Sequence, residues 1–487
     1  MLKSSWINLL TKLFYRSMFV QLFQYLPIES LLFLLVLLIL GLKINDQTHN
    51  NSYGNIMALG LFIILPLAFI FGSNGNLFGN MVQVNSINFF EKMILVFATA
   101  LISIQANDWL SKQNHAAEYA ILIIVSLIGM CLMLSAGNML IFYLGLEMAS
   151  IPVAALATFD LQKQESGEAG VKLILSSAFA SGMMLFGISW LYGSTGSLDI
   201  QTISMGMADS KFSSMAEIWG LILVFSGFAF KISAVPFHFW TADVYQGAPL
   251  SVTAYLAMVS KAAMAFVFIS ILAPLFIQLP QVWIALVSIT VALTIFIGNL
   301  FALRQSSIKR FLAFSSIAQV GFILLALIMP SEQSIVSIIY FVIIYLFSSI
   351  GIFGVATWLE SSGAKSNLSV FKGFYHEHKF LSWVMAICLF SLAGIPPTAG
   401  FFGKFFLIGS RINTSNFYLI LFVVLNMVVS LYYYLKIVKY MFMDAPLEVV
   451  EVKPIPLSLK LTLIISMFGV ISFGVSNWLY NFIHQLL

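Results

Sequence analysis

Charge is what this sequence has least of. Asp, Glu, Lys and Arg together make up 9% of its 487 residues, against about 25% in an ordinary soluble domain. Hydrophobic residues make up 60%, and the mean hydropathy is +0.99. A water-soluble chain of that composition would precipitate, which excludes a soluble globular fold. Cysteine is nearly missing too. Cys131 and Cys388 stand alone in apolar runs, and no C-x-x-C or Cys/His cluster is there to hold zinc or an iron–sulfur centre. No Gly-rich nucleotide loop follows a strand pattern. The chain therefore shows no site for redox chemistry or ATP hydrolysis, and its energy must come from an ion gradient or from partner subunits. The net charge of +4 is diffuse, with no basic, aromatic-laced tract, so no nucleic-acid partner is expected.

What fills the chain instead is long apolar runs. A spanning helix needs about 20 such residues. On that criterion the spans fall near 27–43, 54–72, 86–104, 118–135, 137–159, 171–193, 217–241, 249–275, 280–302, 308–330, 333–359, 380–409, 416–440 and 457–482, an all-α polytopic membrane protein of about fourteen transmembrane helices. The third is the least regular, with Glu91 and Lys92 near one end. Residues 1–26 differ from the rest: Lys3, Lys12 and Arg16 recur near helical spacing among apolar residues, which reads as an interfacial amphipathic segment rather than a signal peptide. Basic residues concentrate in the connections after odd-numbered spans, among them Lys112, Lys163, Arg304, Lys309, Arg310, Lys372 and Lys439. Those connections are expected on the cytoplasmic side and both termini on the outer side of a bacterial inner membrane.

Two spans are interrupted. In Phe230-Lys231-Ile232-Ser233-Ala234-Val235-Pro236-Phe237-His238 a proline follows five residues after a lysine, and span twelve holds Pro396-Pro397. Proline removes a backbone donor and breaks a helix. The two breaks lie five spans apart, an odd offset that inverts the second copy, and Leu185–Leu191 weakly resembles Ile352–Leu359 at the same offset. Inverted repeats with broken helices at ion sites are a transporter architecture.

Four ionisable residues fall well inside spans: Glu147, Lys231, Lys261 and Lys404. Such residues cost about 2.5–3.5 kcal/mol each on insertion scales and by default mark function. Glu147 and Lys231 can pair. Lys261 and Lys404 have no carboxylate left to pair with, and a lysine that can shed and regain its proton is a relay. Plainer readings stand beside these. Glu147 with Lys231 also fits a structural ion pair. Lys261 lies about twelve residues past Pro249, roughly 18 Å at helical rise, too deep for simple snorkelling, whereas Lys404 also fits the end of its span. His238, just past the first break, is either a packed histidine or a further proton carrier. His376 and His378 read as a solvated loop. The run Ser315-Ser316-Ile317-Ala318-Gln319 suits a water-lined helix or small-residue packing.

Four blocks together resemble the antiporter-like membrane subunits of proton-pumping NADH-quinone oxidoreductase, respiratory complex I: Gly145 to Pro152, Phe230 to Pro249, Gln305 to Ile317, and Ser391 to Phe405 with Pro396-Pro397 and Lys404. The resemblance is to the N-type branch, on Lys404 and on the lack of room for a long C-terminal lateral helix. It implies two inverted five-helix repeats. The organisation is then 1–26, an amphipathic segment; 27–117, three peripheral helices; 118–275, the first repeat; 280–440, the second; and 441–487, a loop and last helix. It implies a proton relay through Glu147, Lys231, Lys261 and Lys404, with no cofactor in this chain; FMN, iron–sulfur clusters and quinone would sit in partner subunits. Adjacent antiporter-like and small membrane subunits are the implied partners. Two departures stand out: Ala242 where relatives carry proline, and Gln319 where many carry histidine. A membrane subunit of a multi-subunit cation/proton antiporter, or a non-catalytic membrane spacer, is the alternative.

Overall fold

A bilayer offers the backbone no hydrogen bonds, so each crossing must satisfy its own amides, and helices result. The computed structural model describes residues 20–44, 53–209, 215–276, 280–364, 366–411, 417–446 and 454–487. Lys3, Lys12 and Arg16 of the expected amphipathic segment lie outside them. Among the described residues thirteen helices are long and apolar enough to cross a membrane. One further crossing is made of two shorter helices.

Three helices come first: α1 (Pro27–Ile44), α2 (Tyr53–Phe71) and α3 (Ser86–Leu110). Then follow α4 (Ala116–Leu134), α5 (Met139–Ala157), α6 (Gln164–Thr195), the short α7 (Ile200–Asp209), α8 (Met215–Ile232), α9 (Phe239–Gly247) and α10 (Leu250–Phe276). Next are α11 (Pro280–Arg304), α12 (Ile308–Ala326), α13 (Glu332–Ser361), α14 (Lys379–Ala393), α15 (Ala399–Gly409) and α16 (Phe417–Phe442), and the chain closes with α17 (Leu457–Val475) and α18 (Trp478–Leu486). The two expected breaks separate α8 from α9 and α14 from α15. The helices α10, α12 and α13 are buried along most of their length, so their polar residues face protein rather than lipid. Helices α4 and α5 meet backbone to backbone: a Cβ on Gly129 would lie 2.4 Å from the Ala149 nitrogen. That contact seats the Glu147 helix.

Several expectations change. The last span ends at Val475, and Ser476-Asn477 separates it from α18, whose Leu479 and Ile483 are buried. A small hairpin, β1 (Gly75–Leu77) with β2 (Val82–Val84), joins α2 to α3 and packs against Leu26. His378 is not solvated: it is buried between Trp358 and Phe374, with ring centroids 4.6 and 4.8 Å away, while His376 is exposed. Arg411 is buried, and its guanidinium donates to the carbonyls of Ala326 and Met329, at the end of α12, and to Ser334.

The largest change is in α3. Lys92 is buried and donates to Glu29 of α1 at 2.5 Å, with Glu91 buried beside it. The buried ionisable set is therefore wider than the four residues singled out, and this pair binds the peripheral helices together. Removing one member of a buried pair costs about 3–5 kcal/mol, because the other is left uncompensated. Lys92→Met should thus lower the amount of folded subunit in membranes more than Lys92→Met combined with Glu29→Gln. Immunoblotting of solubilised, assembled complex reads the difference.

Candidate functional site

Each broken helix leaves carbonyls without intrahelical partners at its end, and the negative end of a helix dipole favours a cation. Both breaks place a lysine there. In α8 the last turn carries Lys231, and Ser233 with φ +67° turns the chain out of the helix. The loosened backbone is satisfied locally: Trp240 Nε1 donates to the Phe230 carbonyl at 3.0 Å, and the Val235 amide donates to Thr294 Oγ1 at 3.0 Å. At the other break Gly394, with φ +85°, ends α14. Lys404 reaches back from α15 and donates to the Leu392 carbonyl at 2.6 Å and the Ala393 carbonyl at 3.4 Å. Its ammonium lies 4.7 Å from the centroid of the Phe322 ring. Lys404 is 1% exposed, so it belongs to the interior and not to the end of its span.

Lys231 departs from the expected ion pair. Its ammonium donates to Ser150 Oγ at 2.6 Å and Ser177 Oγ at 2.7 Å. Glu147 forms no ion pair among the described residues, and its Oε1 is buried without a hydrogen-bond partner. The cause is local. Ser150 stands three residues after Glu147, on the same face of α5, and Ser177 faces it from α6, so two hydroxyls take the ammonium. A cavity of about 40 Å³ adjoins Lys231 and is lined by Ser150, Ser177, Trp240, Ser260 and Met264. It has room for ordered water.

Ser260 precedes Lys261, which is 2% exposed. Here α10 loosens into a π-helical turn over Leu256–Ser260, and Tyr345 donates to the Ala257 carbonyl at 3.0 Å. Such turns often occur at functional positions. The Lys261 ammonium donates to Ser316 Oγ at 2.7 Å. Beyond it, Ser315 and Gln319 bond the Tyr434 hydroxyl at 2.7 and 3.0 Å, and the Gln319 amide also donates to the Leu392 carbonyl at 3.2 Å, the oxygen that Lys404 uses. Lys261 and Lys404 are buried beside the same polar stretch of α12, and Lys231, close to Glu147, lines a cavity that reaches Ser260, the neighbour of Lys261, so the four follow one another as a row. His238 is off it: the ring is buried against Phe239, with centroids 4.5 Å apart, and it bonds none of the four. Ser150, Ser177, Ser260 and Tyr434 were not singled out from the sequence. Only Ser150 carried a signal, its spacing from Glu147.

At one end of the row, Asp243 of α9 accepts from Lys172 of α6 at 2.8 Å and from Arg310 of α12 at 2.9 Å. Lys172 also pairs with Glu168 at 2.7 Å, so two carboxylates hold it. Gln246 accepts from Arg310 as well, and a polar cavity of about 220 Å³ opens between these groups.

Residues 136–430 match the family described as NADH:quinone oxidoreductase/Mrp antiporter, transmembrane. The chain is 40% identical to NADH-quinone oxidoreductase subunit N of Azobacteroides pseudotrichonymphae genomovar. CFP2, over 94% of this chain and 96% of that one. A chain of respiratory complex I from Thermus thermophilus superposes with a TM-score of 0.77 at 25% identity, covering 92% of this chain and 97% of that chain. A chain of the Mrp complex from Dietzia sp. DQ12-45-1b superposes with a TM-score of 0.81 at 17% identity, covering 94% and 96%. That second likeness speaks to the fold alone. The fold is thus common to oxidoreductase and antiporter assemblies, and it is the sequence identity, sustained over nearly the whole of both chains, that places this chain in the NADH-quinone oxidoreductase subunit N family.

Proposed function

We propose that this chain is a proton-translocating membrane subunit of a bacterial NADH-quinone oxidoreductase, and that protons move through Glu147, Lys231, Lys261 and Lys404. The observation that carries this reading is the buried row itself. Three lysines at membrane depth rest on hydroxyls and helix-end carbonyls instead of on counter-charges, a water-sized cavity adjoins Lys231, and Glu147 lies one turn from Ser150, the hydroxyl that Lys231 uses. Isolated lysines are poor packing residues, and a spacer would have no use for them. Protonation of Lys231 is coupled to its distance from Glu147. With the carboxylate near, the ammonium keeps its proton; with the two apart and Lys231 on its serines, the proton can pass toward Lys261 and then Lys404.

The two halves of the row occupy two inverted five-helix repeats, 118–275 and 280–440. The driving force is electrostatic and originates in partner subunits, where NADH oxidation and quinone reduction take place on FMN, iron–sulfur clusters and quinone. The connections after odd-numbered spans face the cytoplasm, both termini face outward, and neighbouring membrane subunits continue the row at either end. His238 acts by packing at the break.

Inverted membrane vesicles driven by NADH provide the test. Lys231→Ala, in a complex verified as assembled, should lower pumping by about ten-fold or more, since losing a proton-transferring group costs about 100-fold or more where that step limits the rate. Full pumping would mean that the broken helix is architecture only. Glu147→Ala should behave alike. Ser150→Ala combined with Ser177→Ala removes both hydroxyl partners of Lys231 and should slow pumping several-fold with assembly intact. An unchanged rate would show that these hydroxyls do not set the resting position of the ammonium.

A further inference from the structure

The two lysines of the second half of the row, Lys261 and Lys404, do not touch. Between them stands a small network built on α12. Ser316 takes the Lys261 ammonium and spends its own proton on the Ala313 carbonyl at 2.7 Å. Its chain neighbour Ser315 shares a 2.7 Å hydrogen bond with Tyr434 of α16. Gln319, one turn along α12, donates its amide to both the Tyr434 hydroxyl and the Leu392 carbonyl. Lys404 donates to that same carbonyl.

The chemistry of these groups is unequal. A carbonyl can only accept, and a carboxamide does not give up and regain a proton under ordinary conditions. A hydroxyl can do both at once, gaining a proton on a lone pair as its own leaves. Along the stretch from Ser315 to Lys404, Tyr434 is the group that can pass a proton. Its hydroxyl accepts from Gln319, which leaves a second lone pair for Ser315 and its own proton free to turn; the Ser315–Tyr434 bond can run in either direction. Gln319, held by two acceptors, keeps the Tyr434 oxygen in place beside the Leu392 carbonyl. Tyr434 is 1% exposed, and its ring is packed against Tyr433 and Phe311, so the hydroxyl can turn while the ring stays in place.

We propose that the Tyr434 hydroxyl is the proton-carrying group between Lys261 and Lys404, and that Gln319 is its positioning residue. This rests on the relay reading above. Ser316 and Ser315 share no hydrogen bond among the described residues, so the proton passes from Lys261 to Ser315 across one water. With the Tyr434 O–H turned toward Lys404, a proton from Ser315 forms a new O–H bond on Tyr434 as the original O–H breaks. The released proton goes to the unprotonated Lys404 amine, which leaves the Leu392 carbonyl and turns to the hydroxyl directly or across one water. One proton enters, one leaves, and the ring carries no charge before or after. After each passage the new O–H points to Ser315 and must turn back toward Lys404 before the next, while Gln319 holds the oxygen in place.

The test uses the whole complex in inverted vesicles. Tyr434→Phe keeps the ring and removes the hydroxyl. NADH-driven pumping should fall about five-fold or more with assembly unchanged, since losing a proton-transferring group costs about 100-fold or more where that step limits the rate. Tyr434→His restores a group that takes and gives protons, and should recover most of the rate; a purely packing role would not be rescued by so different a shape. Gln319→Leu should lower the rate less than Tyr434→Phe. Full pumping by assembled Tyr434→Phe overturns the proposal, as does a loss that histidine fails to rescue. If Tyr434→Phe does not assemble, Ser315→Ala decides: lost pumping supports the relay, and a normal rate overturns it. Lys231→Ala, measured alongside, separates two failures. If it too pumps normally, the relay reading itself has failed; if it is inactive while Tyr434→Phe pumps fully, only the role of Tyr434 falls.

Discussion

An ammonium inside a bilayer must find oxygen, and most features of this molecule follow from where those oxygens come from. For the three interior lysines of the row they are not carboxylates. They are serine hydroxyls for Lys231 and Lys261, and the exposed carbonyls of a broken helix for Lys404. A tight carboxylate pair would stabilise each charge and also immobilise it. Hydroxyls and helix ends hold the ammonium without a full counter-charge. The break in α14–α15 is therefore part of the electrostatics, since an unbroken helix would have no carbonyls to offer, whereas at α8–α9 the Phe230 carbonyl is taken by Trp240. By contrast, the Lys92–Glu29 pair has a full counter-charge at 2.5 Å. It is the kind of pair that fastens helices.

Much of this was legible in the residues. The crossings were, because desolvation demands long apolar runs. So were the two breaks, because proline cannot continue a helix, and the four central charges, because charge is rare enough here for each one to show. The partners of those charges were less visible. Serine is common in membrane helices and usually bonds its own helix, as Ser150 does to the Leu146 carbonyl, so nothing in its spelling separates a packing serine from one that receives a lysine. Tyr434 sits in a span without a membrane-depth charge, and only the packing of α16 on α12 brings it to Gln319. Glu147 and Lys231 have the right charges to pair, yet the face of α5 that carries Glu147 also carries Ser150 one turn on. The link between Glu29 and Lys92 crosses 63 positions of sequence and depends on how α1 and α3 are placed.

The buried core has a second consequence. In most membrane helices one face meets lipid, and polar residues crowd the other. Here α12 and α13 are covered nearly all round, so Ser315, Ser316, Gln319 and Tyr345 meet only protein. Their hydrogen bonds are not in competition with lipid or bulk solvent, and each can hold one partner long enough to define a direction.

The clasp of Lys172, Asp243 and Arg310 differs from the row in one physical respect. Its side chains are 33–43% exposed, whereas Lys261 and Lys404 are almost wholly enclosed. Exposed pairs are weakened by dissolved ions over a Debye length of about 8–10 Å, and enclosed contacts are screened far less. The subunit therefore has one ionic joint that the surrounding electrolyte can loosen and an inner string of contacts that it cannot. Because that joint ties the second half of the first broken helix to both α6 and α12, the salt bathing a single face of the membrane has a mechanical handle on the protein's interior.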